Sequence, residues 1–194
     1  MKKIFLLIGT LLFVTCAAFG YTMPRWGMTA IDVYIPAESA YTGTIQRAFQ
    51  TWAQATGGKI RFRFNNTRFA SRNAPIKVEI LNEKAPYYTV TSKRHETTGY
   101  FMDMEDGFIN RAEIKIYSIT RHDEPPKQDE LYSALLSEIG YILGLDKVYG
   151  NCYQGDQKTI MCQMELGTQK ELTQKDLDAI RAKYNRTSNE KKEN

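Results

Sequence analysis

Glu138 is the residue in this 194-residue chain whose type and setting most suggest chemistry. It stands in Ser137-Glu138-Ile139-Gly140-Tyr141-Ile142-Leu143-Gly144-Leu145-Asp146-Lys147, between a serine and an isoleucine. A carboxylate so placed can act as a general base, but only if something else makes its water acidic. Ser137 and Lys147 together could be imagined as a nucleophile and its base, yet nothing in the sequence marks an oxyanion hole to go with them. The chain has two histidines, His95 and His122, so a metal site of three His ligands cannot be built within it. His95 lies beside Arg94 and His122 lies in a loop before Pro125, and both read as surface residues. A site of His122, Glu138 and Asp146 is conceivable, but their spacing does not support it. Cys152 and Cys162 are too far apart in sequence for a Cys-x-x-Cys redox pair.

These residues need elements to position them. Leu131, Ala134, Leu135, Glu138 and Ile142 recur at helical spacing, which predicts a helix from about Gln128 to Leu143 with Gly144 as its stop. Upstream, Ile45, Ala48, Phe49, Trp52 and Ala53 form one apolar stripe of a helix ending at Gly57-Gly58. Ile31, Val33 and Ile35 alternate with polar or aromatic residues until Pro36, as in a strand with one buried face. Ile60, Phe62 and Phe64 alternate with Arg61 and Arg63, and Ile76, Val78 and Ile80 with Lys77 and Glu79. The arginines read as a solvated face. Gly99 to Met104 and Ile109 to Tyr117 flank Glu105-Asp106-Gly107, a hairpin signal. Thr173-Gln174-Lys175-Asp176 resembles a capping box, and Leu177, Ile180, Ala182 and Tyr184 continue as a last helix. The order is that of an α+β domain with a mixed sheet and packed helices.

The N-terminus reads as an export signal. Lys2 and Lys3 precede an apolar run from Ile4 to Ala18, about 15 residues and short for a membrane span. Small residues at Ala17, Ala18 and Gly20 suit cleavage. An uncleaved anchor is the alternative, and Cys16 raises that of a lipoprotein, although Phe13-Val14-Thr15 does not match the usual lipoprotein context. The expected division is a signal peptide over 1–20, one domain over 21–186 and a polar tail over 187–194, in a periplasmic or extracellular setting. Export would leave Cys152 and Cys162 as an even pair in an oxidising compartment, hence a disulfide. The net charge of +4 does not call for a nucleic-acid partner. Asn65-Asn66-Thr67 and Asn185-Arg186-Thr187 fit the glycosylation pattern, which is common by chance.

The segment from Ser137 to Lys147 resembles the zinc helix of the matrixin-type metzincins, His-Glu-x-Gly-His-x-Leu-Gly-Leu-x-His. Glu138, Gly140, Leu143, Gly144 and Leu145 match it. Thr159-Ile160-Met161 resembles the family's Met-turn, and Leu172 to Tyr184 its closing helix. The order of the upstream strands and helix fits as well, so the resemblance runs from about Met28 to Tyr184. It implies a zincin-like fold with a mixed twisted sheet, a long helix, an active-site-type helix and a C-terminal helix. In the family two His at i and i+4 and a third beyond a glycine turn hold zinc, which lowers the pKa of bound water from about 15.7 to about 7. Here those three positions are Ser137, Tyr141 and Lys147, so zinc is expected for the family and its ligands are lost. Glu138 is then vestigial, and Lys147 and Tyr141 are expected to compensate its charge. The resemblance also implies that an extended peptide or protein lies along an edge strand above this helix, expected here as Ile109–Tyr117. The resulting expectation is an exported, inactive peptidase-like binding module. The alternatives are an active metallopeptidase with an atypical metal site and a secreted structural domain.

Overall fold

A computed structural model of the chain describes residues 24–37, 39–85, 98–120, 122–150, 152, 155, 158–162 and 169–185. The proposed signal peptide, Cys16, His95 and the tail over 187–194 lie outside the described residues. In chain order the elements are β1 (Arg25–Trp26), β2 (Ala30–Tyr34), α1 (Thr42–Ala55), β3 (Arg61–Asn65), α2 (Arg68–Asn73), β4 (Ile76–Lys84), β5 (Thr98–Glu105), β6 (Phe108–Ile119), α3 (Gln128–Ile142) and α4 (Gln174–Asn185). The short β1 and α2 are additions to the elements expected from periodicity. α2 has only six residues, too few to show a helical period. Its start is built by side chains: Asn65 Oδ1 accepts from the Thr67 N–H at 2.9 Å, and Thr67 Oγ1 accepts from the Ala70 N–H at 3.2 Å. The Asn65-Asn66-Thr67 sequence is therefore the entry turn of a helix.

The sheet is mixed, as expected, and mostly parallel. Its order is β3-β2-β4-β6-β5, with β1 beside the start of β6. β2 pairs in parallel with β3 and β4, and β4 with β6, whereas β5 runs antiparallel to β6. The β5–β6 turn places Asp106 at φ 51° and Gly107 at φ 76°, the two positive φ values that a tight hairpin of the right twist requires. One expectation is corrected here. Ile109–Tyr117 is an interior strand, not an edge: β4 lies along one side of β6 and β5 along the other. Among the described strands the edge on that side is β5. Alternation reports which face of a strand is buried and says nothing of its neighbours. The crossover from β4 decided this point.

The sheet and α1 enclose α3. Ile45, Ala48, Phe49 and Trp52 of the predicted stripe are buried, and Ile31 and Val33 face them from β2. From Leu131 to Gly140 every residue of α3 is buried, including Ser133, Ser137 and Glu138. The helix is thus central rather than covered on one stripe. Both tryptophans fasten it: Trp52 Nε1 donates to the Leu136 carbonyl and Trp26 Nε1 to the Ile142 carbonyl, each at 2.8 Å. Tyr184 of α4 donates its hydroxyl to the Leu143 carbonyl at 2.9 Å. Burial pushes the Tyr184 phenol up from its usual range, so it stays a donor there. Among the described residues no helix is long and apolar enough to cross a membrane.

Candidate functional site

Ser137 and Tyr141 are four residues apart on α3 and therefore share a face. The chain then turns sharply. The Gly144 N–H donates to the Tyr141 carbonyl at 2.8 Å and the Leu145 N–H to the Gly140 carbonyl at 3.0 Å, the paired bonds of a glycine helix stop. Gly144 sits at φ 88°, which a glycine adopts without strain. This turn returns the chain to the helix, and Lys147 Nζ lies 4.9 Å from the centroid of the Tyr141 ring. The ammonium over the aromatic face is a cation–π contact. Tyr141 and Lys147 thus meet at the end of α3, both half-buried, with the buried Ser137 one turn back on the same face.

Glu138 is 2% exposed, and Thr98 Oγ1 of β5 donates to its Oε1 at 3.4 Å. Thr98 is itself buried, so this contact is part of the seam between the edge strand and the helix. Thr98 has no local sequence signal; only the hairpin register, which sets Thr98 opposite Ile116, brings it here. Lys147 thus stacks on Tyr141 at the end of the helix, and the Thr98 hydroxyl reaches Glu138 from the strand beside it.

Beneath the helix lies the segment Thr159-Ile160-Met161. A Cβ on Gly140 would stand 2.6 Å from Met161 Sδ and 2.7 Å from Trp52 Cζ2, so the absent side chain is what lets both pack against α3. The Val148 N–H donates to the Met161 carbonyl at 3.0 Å, tying the loop after Lys147 to this floor. Asp176 holds the floor to α4. Its Oδ2 accepts from the Ile160 N–H at 3.0 Å, the Thr173 N–H at 2.8 Å and the Thr173 hydroxyl at 2.7 Å. The Thr159 hydroxyl donates to its Oδ1. The capping-box reading found the local half of this network. Its long-range half carried no sequence signal.

Cys152 and Cys162 are bonded, with Cα atoms 5.4 Å apart, as their number predicted. Reduction is expected to lower stability by about 2–3 kcal/mol on the chain-entropy estimate, read as a shift of the urea midpoint with and without reductant. An unchanged midpoint would show that the bond closes a loop already fixed in the unfolded chain.

The remaining candidates do not assemble. His122 is exposed, and Asp146 is exposed beyond the turn. Among the described residues no three His, Cys, Asp or Glu side chains stand close enough to hold a metal, so His122, Glu138 and Asp146 form no set. Ser137, Tyr141 and Lys147 do not fit zinc either. A buried serine hydroxyl is a weak ligand, and an ammonium is a cation without a lone pair to give. Arg61 and Arg63 are exposed as expected, Arg63 donating to both Asp32 oxygens at 2.7 and 2.9 Å. Arg186 and Thr187 of the second glycosylation pattern lie outside the described residues. No protein-family model matches the chain. No curated protein matches it.

Proposed function

We propose that this chain is an exported, catalytically inactive matrixin-like domain that binds an extended peptide along β5. The observation that carries the reading is the Lys147 ammonium on the Tyr141 ring. The turn through Gly144 brings position 147 back to position 141, which is what a third ligand position beyond a glycine turn has to do. The residues found there cannot hold the metal that such a turn would serve. The mixed sheet, the long α1, the central α3, the closing α4 and Met161 under Gly140 support the same reading. The apolar leader and the disulfide support export.

Without a Lewis acid, Glu138 has no acidic water to deprotonate, and Thr98 engages it in the seam. What remains usable is the strand. β5 is an edge among the described strands, it packs on α3 through Thr98, and Phe101 and Met104 along it are 56% and 50% exposed. An extended peptide adds to such an edge by main-chain hydrogen bonds, with side chains setting the preference.

The purified exported chain is expected to carry no stoichiometric zinc and to show no chelator-sensitive peptide cleavage. Zinc at one per chain, with cleavage lost in Glu138→Ala, would overturn this reading in favour of an active metallopeptidase. The triple variant Ser137→His, Tyr141→His, Lys147→His is expected to take up zinc, measured by metal analysis after dialysis. A peptide array is expected to show binding that a proline placed in β5 removes, because proline lacks the N–H that a paired strand donates. An array with no binding would leave a secreted structural domain as the better reading.

A further inference from the structure

The opposite edge of the sheet carries a second, independent opening. β3 pairs with β2 alone among the described strands. Its inward residues Phe62 and Phe64 pack edge-on against buried Phe49 of α1, with ring centroids at 4.8 and 6.0 Å, and both remain only half-buried. Two hollows run along this edge and share Phe64. One, of about 630 Å³, is lined by Ala53, Gln54, Ile60, Phe62 and Phe64, with Arg61 also on its lining. The other, of about 430 Å³, continues past Ile35, Gln46 and Asn65. Together they make a groove between β3 and α1 that follows the whole strand. The first hollow is mainly apolar, the second is mainly polar with Thr42, Asn65 and Asn66, and the helical wall carries uncharged glutamines.

We infer that this groove takes an extended segment of a partner protein, added as a strand to β3, with apolar residues alternating with acidic ones. The alternation follows from the two faces of the edge. Side chains entering the groove meet Phe62 and Phe64. Side chains on the other face meet the exposed row of Arg61 and Arg63. Arg63 is already held by Asp32, whereas Arg61 has no ion pair among the described residues. A second copy of this chain is the poorer occupant, because edge-to-edge pairing would set two arginine rows against each other. Arginines on an edge discourage pairing with like-charged edges and favour an acidic strand.

The test uses the exported chain and three capped hexapeptides: alternating Glu and Val, alternating Lys and Val, and the Glu–Val sequence N-methylated at alternate residues. The Glu–Val peptide is expected to shift the amide resonances of 61–65 and to bind more tightly than the Lys–Val peptide. Arg61→Glu, an exposed change, is expected to weaken Glu–Val binding about threefold to fivefold and to strengthen Lys–Val binding. N-methylation on the pairing side removes the donors and should abolish binding. Absence of binding, equal binding of both charge patterns, shifts confined to β5, or self-association of the free chain through 61–65 would each overturn the inference. Because β5 lies at the other edge, failure here is distinguishable from failure of the proposed function.

Discussion

Asp176→Ala is expected to destabilise the domain by about 3–5 kcal/mol, a large part of the stability of an ordinary domain. The carboxylate is buried and accepts from the Ile160 and Thr173 N–H groups and from the Thr159 and Thr173 hydroxyls. Alanine would leave the buried Ile160 N–H and Thr159 hydroxyl without an acceptor, each costing about 1–3 kcal/mol before relaxation, whereas the half-buried Thr173 donors can turn to water. The damage would be local first. Met161 donates its N–H to Thr159 Oγ1 at 3.1 Å, so loosening Thr159 frees the segment under Gly140. Urea unfolding measures the total, and hydrogen exchange at Ile160 locates it. A loss under about 1 kcal/mol would mean that water replaces the carboxylate and that Asp176 is only a helix cap. Asp176→Asn is expected to fall between, since one amide oxygen can replace only one of the two acceptor atoms.

Gly144→Ala is the second large effect, at about 3 kcal/mol or more. Two terms act together. Alanine at φ 88° is strained, and its Cβ would stand 1.9 Å from the Pro24 carbonyl oxygen. That oxygen also accepts from Lys183 Nζ at 3.3 Å, so the N-terminal segment, α4 and the end of α3 meet at this point. Relief requires moving Pro24 away, which strains the Trp26 indole bond to Ile142. The loop from Leu145 onward would also leave its course, separating Lys147 from Tyr141. Thermal unfolding gives the cost, and the indole N–H resonance of Trp26 follows the displacement. An alanine variant as stable as the parent would show that the Pro24 segment yields freely and does not clamp the helix.

Much of the fold was legible because burial imposes a period. The α1 stripe, the α3 helix with its glycine stop, the hairpin about Asp106-Gly107 and the start of α4 each carry a local signal, and each is found. The misses have a common cause. α2 is too short to show a period, and its Asn65 and Thr67 signal also fits a glycosylation pattern. The burial of α3 on all sides follows from the sheet and helices packed around it, which its own spacing does not encode. The site was legible in part: the resemblance of the Ser137–Lys147 segment to a zinc helix marked Ser137, Glu138, Tyr141 and Lys147. Thr98, which donates to Glu138, was not, because it comes from a distant segment of the chain.

The sequence by itself determined the chemistry that this site lacks. With two histidines in the chain and neither at positions 137, 141 or 147, no fold could turn those positions into a three-histidine centre. It also pointed to the disulfide partners, since Cys152 and Cys162 are the two cysteines outside the N-terminal apolar run. Only the tertiary structure decided where things meet. It put Lys147 on Tyr141, Thr98 on Glu138 and Asp176 on Ile160, and it made β5 rather than β6 the edge beside the helix. The physical reason is one of range. Side-chain periodicity and turn residues act over a few neighbours and are written in order along the chain. Strand order and contacts between distant segments come from how the elements bury one another, and no local pattern records that.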